Sequence, residues 1–241
     1  MWRKFQRPLF NKVKRAIREF DLIEDGDSIA VGVSGGKDSV ILLYTLATLR
    51  KITPISFNIK AITLDLGWGN DFTPLLNFCT SLDIPYYIKE TEIGKIVYYD
   101  RQEKSPCSLC AKMRRGALHN YAKELGCNKV ALGHHLDDAI ETFLLSLTYE
   151  GRINTFSPKS YLSRIDLTLI RPLIFVYEED IFSIVNKLKM PVVINHCPAD
   201  GRTKRQEMKE LILEMETNNP VVRDRILSAI NNHIWTGKLN N

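Results

Sequence analysis

A chain of 241 residues, 44% of them hydrophobic, can fill one sizeable α/β core with a little extra and leaves no room for a second full domain. Its formal net charge of +5 is modest and compatible with a basic face toward nucleic acid. No apolar run approaches the roughly 20 residues of a membrane span, the basic start has no signal-peptide centre, and five cysteines in an expected cytoplasmic protein point to metal or redox use and away from a disulfide framework.

In chain order, residues 1–24 read as an amphipathic helical extension in which Phe10, Val13, Ile17 and Phe20 share one face, with the basic residues solvated opposite. Strands are predicted at 28–33, 58–66, 85–89, 129–133 and 167–176 from β-branched runs stopped by turn residues. Helices are predicted at 38–50, 72–82, 111–125, 138–149 and 178–189. Two more, at 203–217 and 219–233, lie in a helical tail over 200–241, while 92–106 and 150–166 read as loops. Strands alternating with helices imply one α/β unit, a Rossmann-like parallel sheet with helices on both faces. In such a sheet ligands collect beyond the carboxyl ends of the strands. Three polar groups fall there: the loop Ser34, Gly35, Gly36, Lys37, Asp38, Ser39; then Asp65 after "KAITL"; then "GHHLDD" after "KVAL".

The first of these, "AVGVSGGKDSV", runs from a strand through two glycines into a helix. That geometry aims backbone N–H groups and the positive helix end into one concavity, which suits a phosphate. The spacing is neither that of a Walker A loop nor that of the G-x-G-x-x-G dinucleotide fingerprint. In "ALGHHLDDAIETFLL" a strand ends at Gly133 and a helix begins near Asp137 or Asp138, so the acids also serve as N-terminal caps. A magnesium ion bridging phosphates needs one or two carboxylates, and Asp38 and Asp138 are the candidates. His134 or His135 is placed to hydrogen-bond a phosphate or the leaving oxygen.

Cys107 and Cys110 form a C-x-x-C at the start of a helix, a motif open to redox, zinc or iron–sulfur readings. Cys197 stands in a rigid turn, "HCPADG", and completes a set of three, whereas Cys79 and Cys127 fit buried core positions. In a zinc site His196 or His119 would close the fourth position; in a cubane cluster one iron would stay open. Lys112, Arg114 and Arg115 work against the helix dipole and so call for an anion nearby, either a thiolate-ligated cluster or a nucleic-acid phosphate. Arg114, Arg115, Lys204 and Arg205 are the candidates for phosphate contacts.

Together, S-G-G-K-D-S, G-H-H-x-D-D, P-C-S-L-C with its basic helix, "RPL" at 171–173 and the late cysteine resemble the tRNA 2-thiocytidine synthetase family, PP-loop enzymes of the N-type ATP pyrophosphatase superfamily, from about residue 10 to about residue 215. The resemblance implies an adenine nucleotide alpha-hydrolase-like fold over one PP-loop domain and an ATP-dependent tRNA sulfurtransferase that thiolates C2 of cytidine 32 in the anticodon loop. It implies catalytic roles for Lys37, Asp38 and Asp138. Nucleotide contacts would come from Ser34 to Ser39, Asp65, Gly133 and His134. ATP, Mg2+ and a 4Fe-4S cluster on Cys107, Cys110 and Cys197 are the implied cofactors. Expected partners are tRNA and a sulfur donor, persulfide from a cysteine desulfurase or sulfide, with a homodimer as the assembly and no membrane. The chain departs from the family in one place, where many members carry a second C-x-x-C and it has Cys197 alone. Three rivals remain at this level: a PP-loop enzyme acting on another tRNA base, one acting on a small sulfur metabolite, and a nucleotide-binding regulator that releases no pyrophosphate.

Overall fold

In chain order, the helix α1 (Arg7–Glu19) precedes β1 (Ser28–Gly32), α2 (Lys37–Ile52), β2 (Asn58–Asp65), α3 (Thr73–Ser81), β3 (Tyr86–Glu90) and the single turn α4 (Ile93–Lys95). Then come α5 (Pro106–Glu124), β4 (Lys129–Ala131), α6 (Leu136–Tyr149), β5 (Lys159–Leu162), β6 (Leu167–Ile170), α7 (Glu178–Lys187), α8 (Lys204–Asn218) and α9 (Val222–Ile230). This computed structural model describes residues 4–101, 106–193, 197 and 204–237.

The six strands form one sheet in the order β3-β2-β1-β4-β6-β5. Every pairing is parallel except that of β5 with β6. Ile29, Ala30 and Val31 of β1 are fully buried, as a central parallel strand covered on both faces requires. Ile29 and Val31 pack with α1, α2, α3 and α7 on one face, whereas Ala30 packs with Leu118 and Ala122 of α5 on the other. On α1, Leu9, Phe10, Val13 and Ala16 make the buried stripe, so its amphipathic pattern is spent on the core. Beyond the sheet, Leu136, Ile140 and Leu144 of α6 meet Met208 and Ile212 of α8 and Ile230, which brings the helical tail onto the β4 side. The chain leaves β1 in one direction toward β2 and β3 and returns on the other side as β4. The β1/β4 boundary is therefore the switch point where a crevice opens beyond the carboxyl ends.

Three expectations are corrected. The strand predicted over 167–176 ends at Ile170, and the chain then turns: Ile174 N–H bonds Arg171 O at 3.2 Å and Val176 N–H bonds Leu173 O at 2.8 Å. Pro172 cannot donate to a ladder, and the run imitates a strand because Leu173 to Val176 are buried for another reason, under α1 and α7. Part of the segment expected to be loop over 150–166 is a sixth strand, β5, which adds an antiparallel edge to the parallel sheet. The other expected loop holds α4 and the π-helical turn Ile96–Asp100, and α5 is already helical at Pro106, so both of its cysteines lie in its first turns. No helix of the described residues is long and apolar enough to cross a membrane.

Candidate active site

The loop between β1 and α2 closes on itself at the switch point. Gly35 has φ +87°, a conformation L side chains rarely adopt, and an added Cβ would lie 2.8 Å from Val193 Cβ. Gly36 caps α2 in extended backbone; its carbonyl accepts from Ser39 N–H at 3.1 Å and from Ser39 Oγ at 2.8 Å. Ser34 Oγ lies 3.4 Å from Ser39 Oγ and accepts from Gly36 N–H at 3.4 Å. At the first turn of α2, Lys37 Nζ lies 3.1 Å from Asp38 Oδ1 and 2.9 Å from Glu178 Oε1. Burial lowers the Lys37 pKa, but Glu178 and Asp38 outweigh it and the net shift is upward. Glu178 was not foreseen from the sequence. Burial alone would raise its pKa, but hydrogen bonds from Lys209, at 2.5 Å, and from Lys37 hold it down to about 2. Its pairing therefore contributes fully above the ordinary carboxylate range and is lost only as pH falls toward about 2. A cleft of about 350 Å³ opens beside Lys37, lined also by Asp137, Glu141, Glu178, Lys209 and Arg223.

The β4 end approaches the same loop. A Cβ on Gly133 would come 3.0 Å from the Asp38 carbonyl and 3.1 Å from Ser39 N, so its bare backbone is what lets the two loops meet. Gly133→Ala is expected to cost about 1–3 kcal/mol in urea unfolding by overpacking; an unchanged midpoint would show that the loops part freely. His135 begins α6, its N–H donating to Asp138 Oδ2 at 3.0 Å. Its Nε2 lies 3.8 Å from Asp38 Oδ1 and 3.5 Å from Asp138 Oδ2, so the two carboxylates proposed for magnesium converge on one imidazole nitrogen. Among the described residues no three His, Cys, Asp or Glu side chains are grouped to hold a metal ion alone. A pair of carboxylates is nevertheless what magnesium takes when phosphates supply its other oxygens. Asp137 instead ties elements together, accepting from Glu178 N–H at 2.7 Å and meeting Arg223 at 3.1 Å. Asp65, at the end of β2, turns its carboxylate onto Gly67 N–H at 2.9 Å. Burial lowers His134 to about 4 despite Asp138, so it is neutral at ordinary pH.

The three singled-out cysteines share one neighbourhood. Tyr98 Oη lies 3.4 Å from Cys197 Sγ, and burial, Cys197 and Cys107 together raise its pKa. Burial raises the Cys110 pKa, Arg114 opposes the rise, and the charges of Cys197 and Cys107 add to it. Apolar Leu66, Ile93 and Val97 wall the site, with the Trp68 and Tyr98 rings edge-on at 5.5 Å. Soft thiols are the donors an iron–sulfur cluster takes, and these three act on one another although they are not grouped as ligands of one ion; Cys110 is buried, Cys197 half-buried and Cys107 exposed. Cys79 and Cys127 are buried elsewhere, Cys79 with its thiol pushed up to about 11 by burial. His196 lies outside the described residues. Of the cations expected on phosphates, Arg205 bonds Asp138 at 2.7 Å and Lys204 sits 4.0 Å over the Tyr149 ring, so both already have partners within the fold. Arg114 acts on Cys110, and Arg115 is exposed.

The PP-loop domain model matches residues 5–216. A tRNA-cytidine(32) 2-sulfurtransferase from Pelobacter propionicus is 41% identical over 233 residues, 93% of this chain and 87% of that protein. Its counterpart from Geobacter sulfurreducens is 39% identical over 92% of this chain and 88% of its own length. Among solved structures, the U34-tRNA thiolase from Methanococcus maripaludis, determined with its 4Fe-4S cluster, superposes with a TM-score of 0.79 at 24% identity. That match covers 93% of this chain and 77% of the thiolase and bears on the fold.

Proposed function

The chain belongs to the PP-loop domain family, and from that premise we propose that it is an ATP-dependent tRNA sulfurtransferase that replaces O2 of cytidine 32 with sulfur, as the names of its relatives describe. The observation that carries the reading is a link between two sites. Val193 N–H bonds Gly35 O of the phosphate loop at 3.0 Å, and four residues later the same segment reaches Cys197 beside Tyr98 and the α5 cysteines. Nucleotide activation and thiol chemistry are thus joined by one short stretch of chain.

The loop amides of Ser34 to Ser39 and Lys37 bind the β- and γ-phosphates. Lys37 exchanges Glu178 for phosphate oxygen as the nucleotide enters. Cytidine O2 attacks the α-phosphorus, forming an O–P bond and breaking the bond to pyrophosphate. Lys37 and the amides then stabilise the charge that grows on that leaving group. Asp38 and Asp138 are the proposed Mg2+ ligands, and the ion would neutralise phosphate charge. A 4Fe-4S cluster on Cys107, Cys110 and Cys197 would supply a position at which sulfur is held. A sulfide sulfur then bonds to C2 and loses its proton, the C2–O bond breaks, and AMP leaves with the oxygen; with a persulfide donor, a thiol reductant must also break the S–S bond to the carrier. Leu66, Ile93, Val97 and Trp68 exclude water, which would otherwise compete as the nucleophile. We place all of this within one PP-loop unit, acting in the cytoplasm, with a homodimer as the working assembly.

Nucleoside analysis of tRNA from cells with and without the protein tests the reading. Loss of 2-thiocytidine is the expected result. Loss of 2-thiouridine or lysidine instead would keep the superfamily and change the product, and unchanged tRNA with a missing small thiolated compound would replace tRNA with a metabolite.

A further inference from the structure

The "RPL" motif supplies an arginine with no role in the scheme above. Arg171 follows β6 at the carboxyl edge of the sheet and is only 8% exposed. Its Nη1 donates to Ser157 O at 2.5 Å and its guanidinium carbon stands 4.9 Å over the Phe156 ring, yet its Nε has no acceptor. Among the described residues no carboxylate pairs with it. Burial lowers its pKa to about 10, and the charged group that adds to this is Arg115, another cation. Two imidazoles complete the cluster. His119 of α5 is 9% exposed, feels both Arg115 and Arg171, and its Nε2 has no partner. His134 lies across Phe156, ring centroids 5.0 Å apart, and its buried Nδ1 has none either. A buried guanidinium without a counter-ion disfavours the empty fold, and buried polar atoms without partners add to that penalty. Such a set is stabilised by an oxyanion that several donors can share.

We propose that Arg171, His119 and His134 form a second phosphate-oxyanion site, separate from the PP-loop and entered past the exposed Arg115. Its position supports phosphate over other anions. His134 follows Gly133, whose backbone abuts Asp38 and Ser39 of the PP-loop, while Arg115 adjoins Arg114, which acts on the Cys110 thiol. The site therefore lies between the phosphate loop and the cysteines. Two phosphates have reason to be there: the α-phosphoryl group of the nucleotide and a backbone phosphodiester of the RNA. The inference extends the nucleotide and RNA reading above.

Binding of AMP, inorganic pyrophosphate and an unmodified anticodon stem-loop is measured by calorimetry on the full chain, wild type against Arg171→Gln and Arg171→Lys. Arg171→Gln should weaken AMP or the stem-loop by about tenfold or more, leave pyrophosphate binding at the PP-loop intact, and hold or raise the thermal midpoint of the ligand-free protein. Arg171→Lys, which keeps the charge, should recover part of the affinity. An effect on AMP alone identifies the nucleotide phosphate, and an effect on RNA alone identifies the backbone phosphate. Unchanged affinity for both in Arg171→Gln overturns the site while leaving the functional reading in place. So does a lowered midpoint with all three ligands weakened together, which would make Arg171 a structural cation. A wild type that binds none of the three overturns the functional reading, and the site with it.

Discussion

Replacing Lys37 with alanine is expected to lower ATP-dependent pyrophosphate release by about two to three orders of magnitude, the usual effect of deleting one well-placed donor to a developing oxyanion. The fold should survive. Lys37 makes its ion pairs to Asp38 and Glu178 at the mouth of the site, and Glu178 keeps Lys209 at 2.5 Å after the substitution. Pyrophosphate release and the urea midpoint are to be read on the same preparation. Wild-type release from the variant would remove Lys37 from the phosphate site; a collapsed midpoint would show that the ion pair is a structural tie.

The second large effect is expected from the thiols. Anaerobically purified protein should be brown, with broad absorption near roughly 400 nm and about four irons per chain. Cys107→Ser, Cys110→Ser and Cys197→Ser should each bleach it and abolish thiolation of tRNA. Cys79→Ser should stay coloured, because Cys79 sits in the core between α3 and the sheet and is fully buried among aliphatic side chains. Colourless wild-type protein carrying one zinc would overturn the cluster assignment, and a bleached Cys79→Ser would show that colour reports folding and not ligation.

Local signals made the centre of the fold legible. β1, its glycine loop and α2 are contiguous in sequence, and so are β4, Gly133 and the first turn of α6, so strand ends, caps and acids could be read without tertiary information. What escaped depends on distant partners. The segment Lys159–Leu162 is a four-residue edge strand that exists by pairing with β6, and its sequence, KSYL, carries too little pattern to announce it. Glu178 is one of three acids in the first turn of α7, where the helix dipole favours them, and only the fold brings it to Lys37. The pairing of Arg205 with Asp138 and Glu141 is likewise invisible without the fold. The motif "RPL" is legible as a signature, but the burial of its arginine without a carboxylate partner belongs to the fold.

The contact between Tyr98 and Cys197 joins residues 99 apart in the chain. A ribosome adding roughly 5–20 residues per second releases Tyr98 some 5–20 s before Cys197 follows it. During that interval Cys107 and Cys110 have been synthesised and their third companion has not. The thiol site is therefore one of the late events of biogenesis, completed after all six strands of the sheet have been synthesised. A stalled or truncated nascent chain would display an exposed Cys107 with nothing to hold, a natural target for oxidation or for a thiol-protecting chaperone.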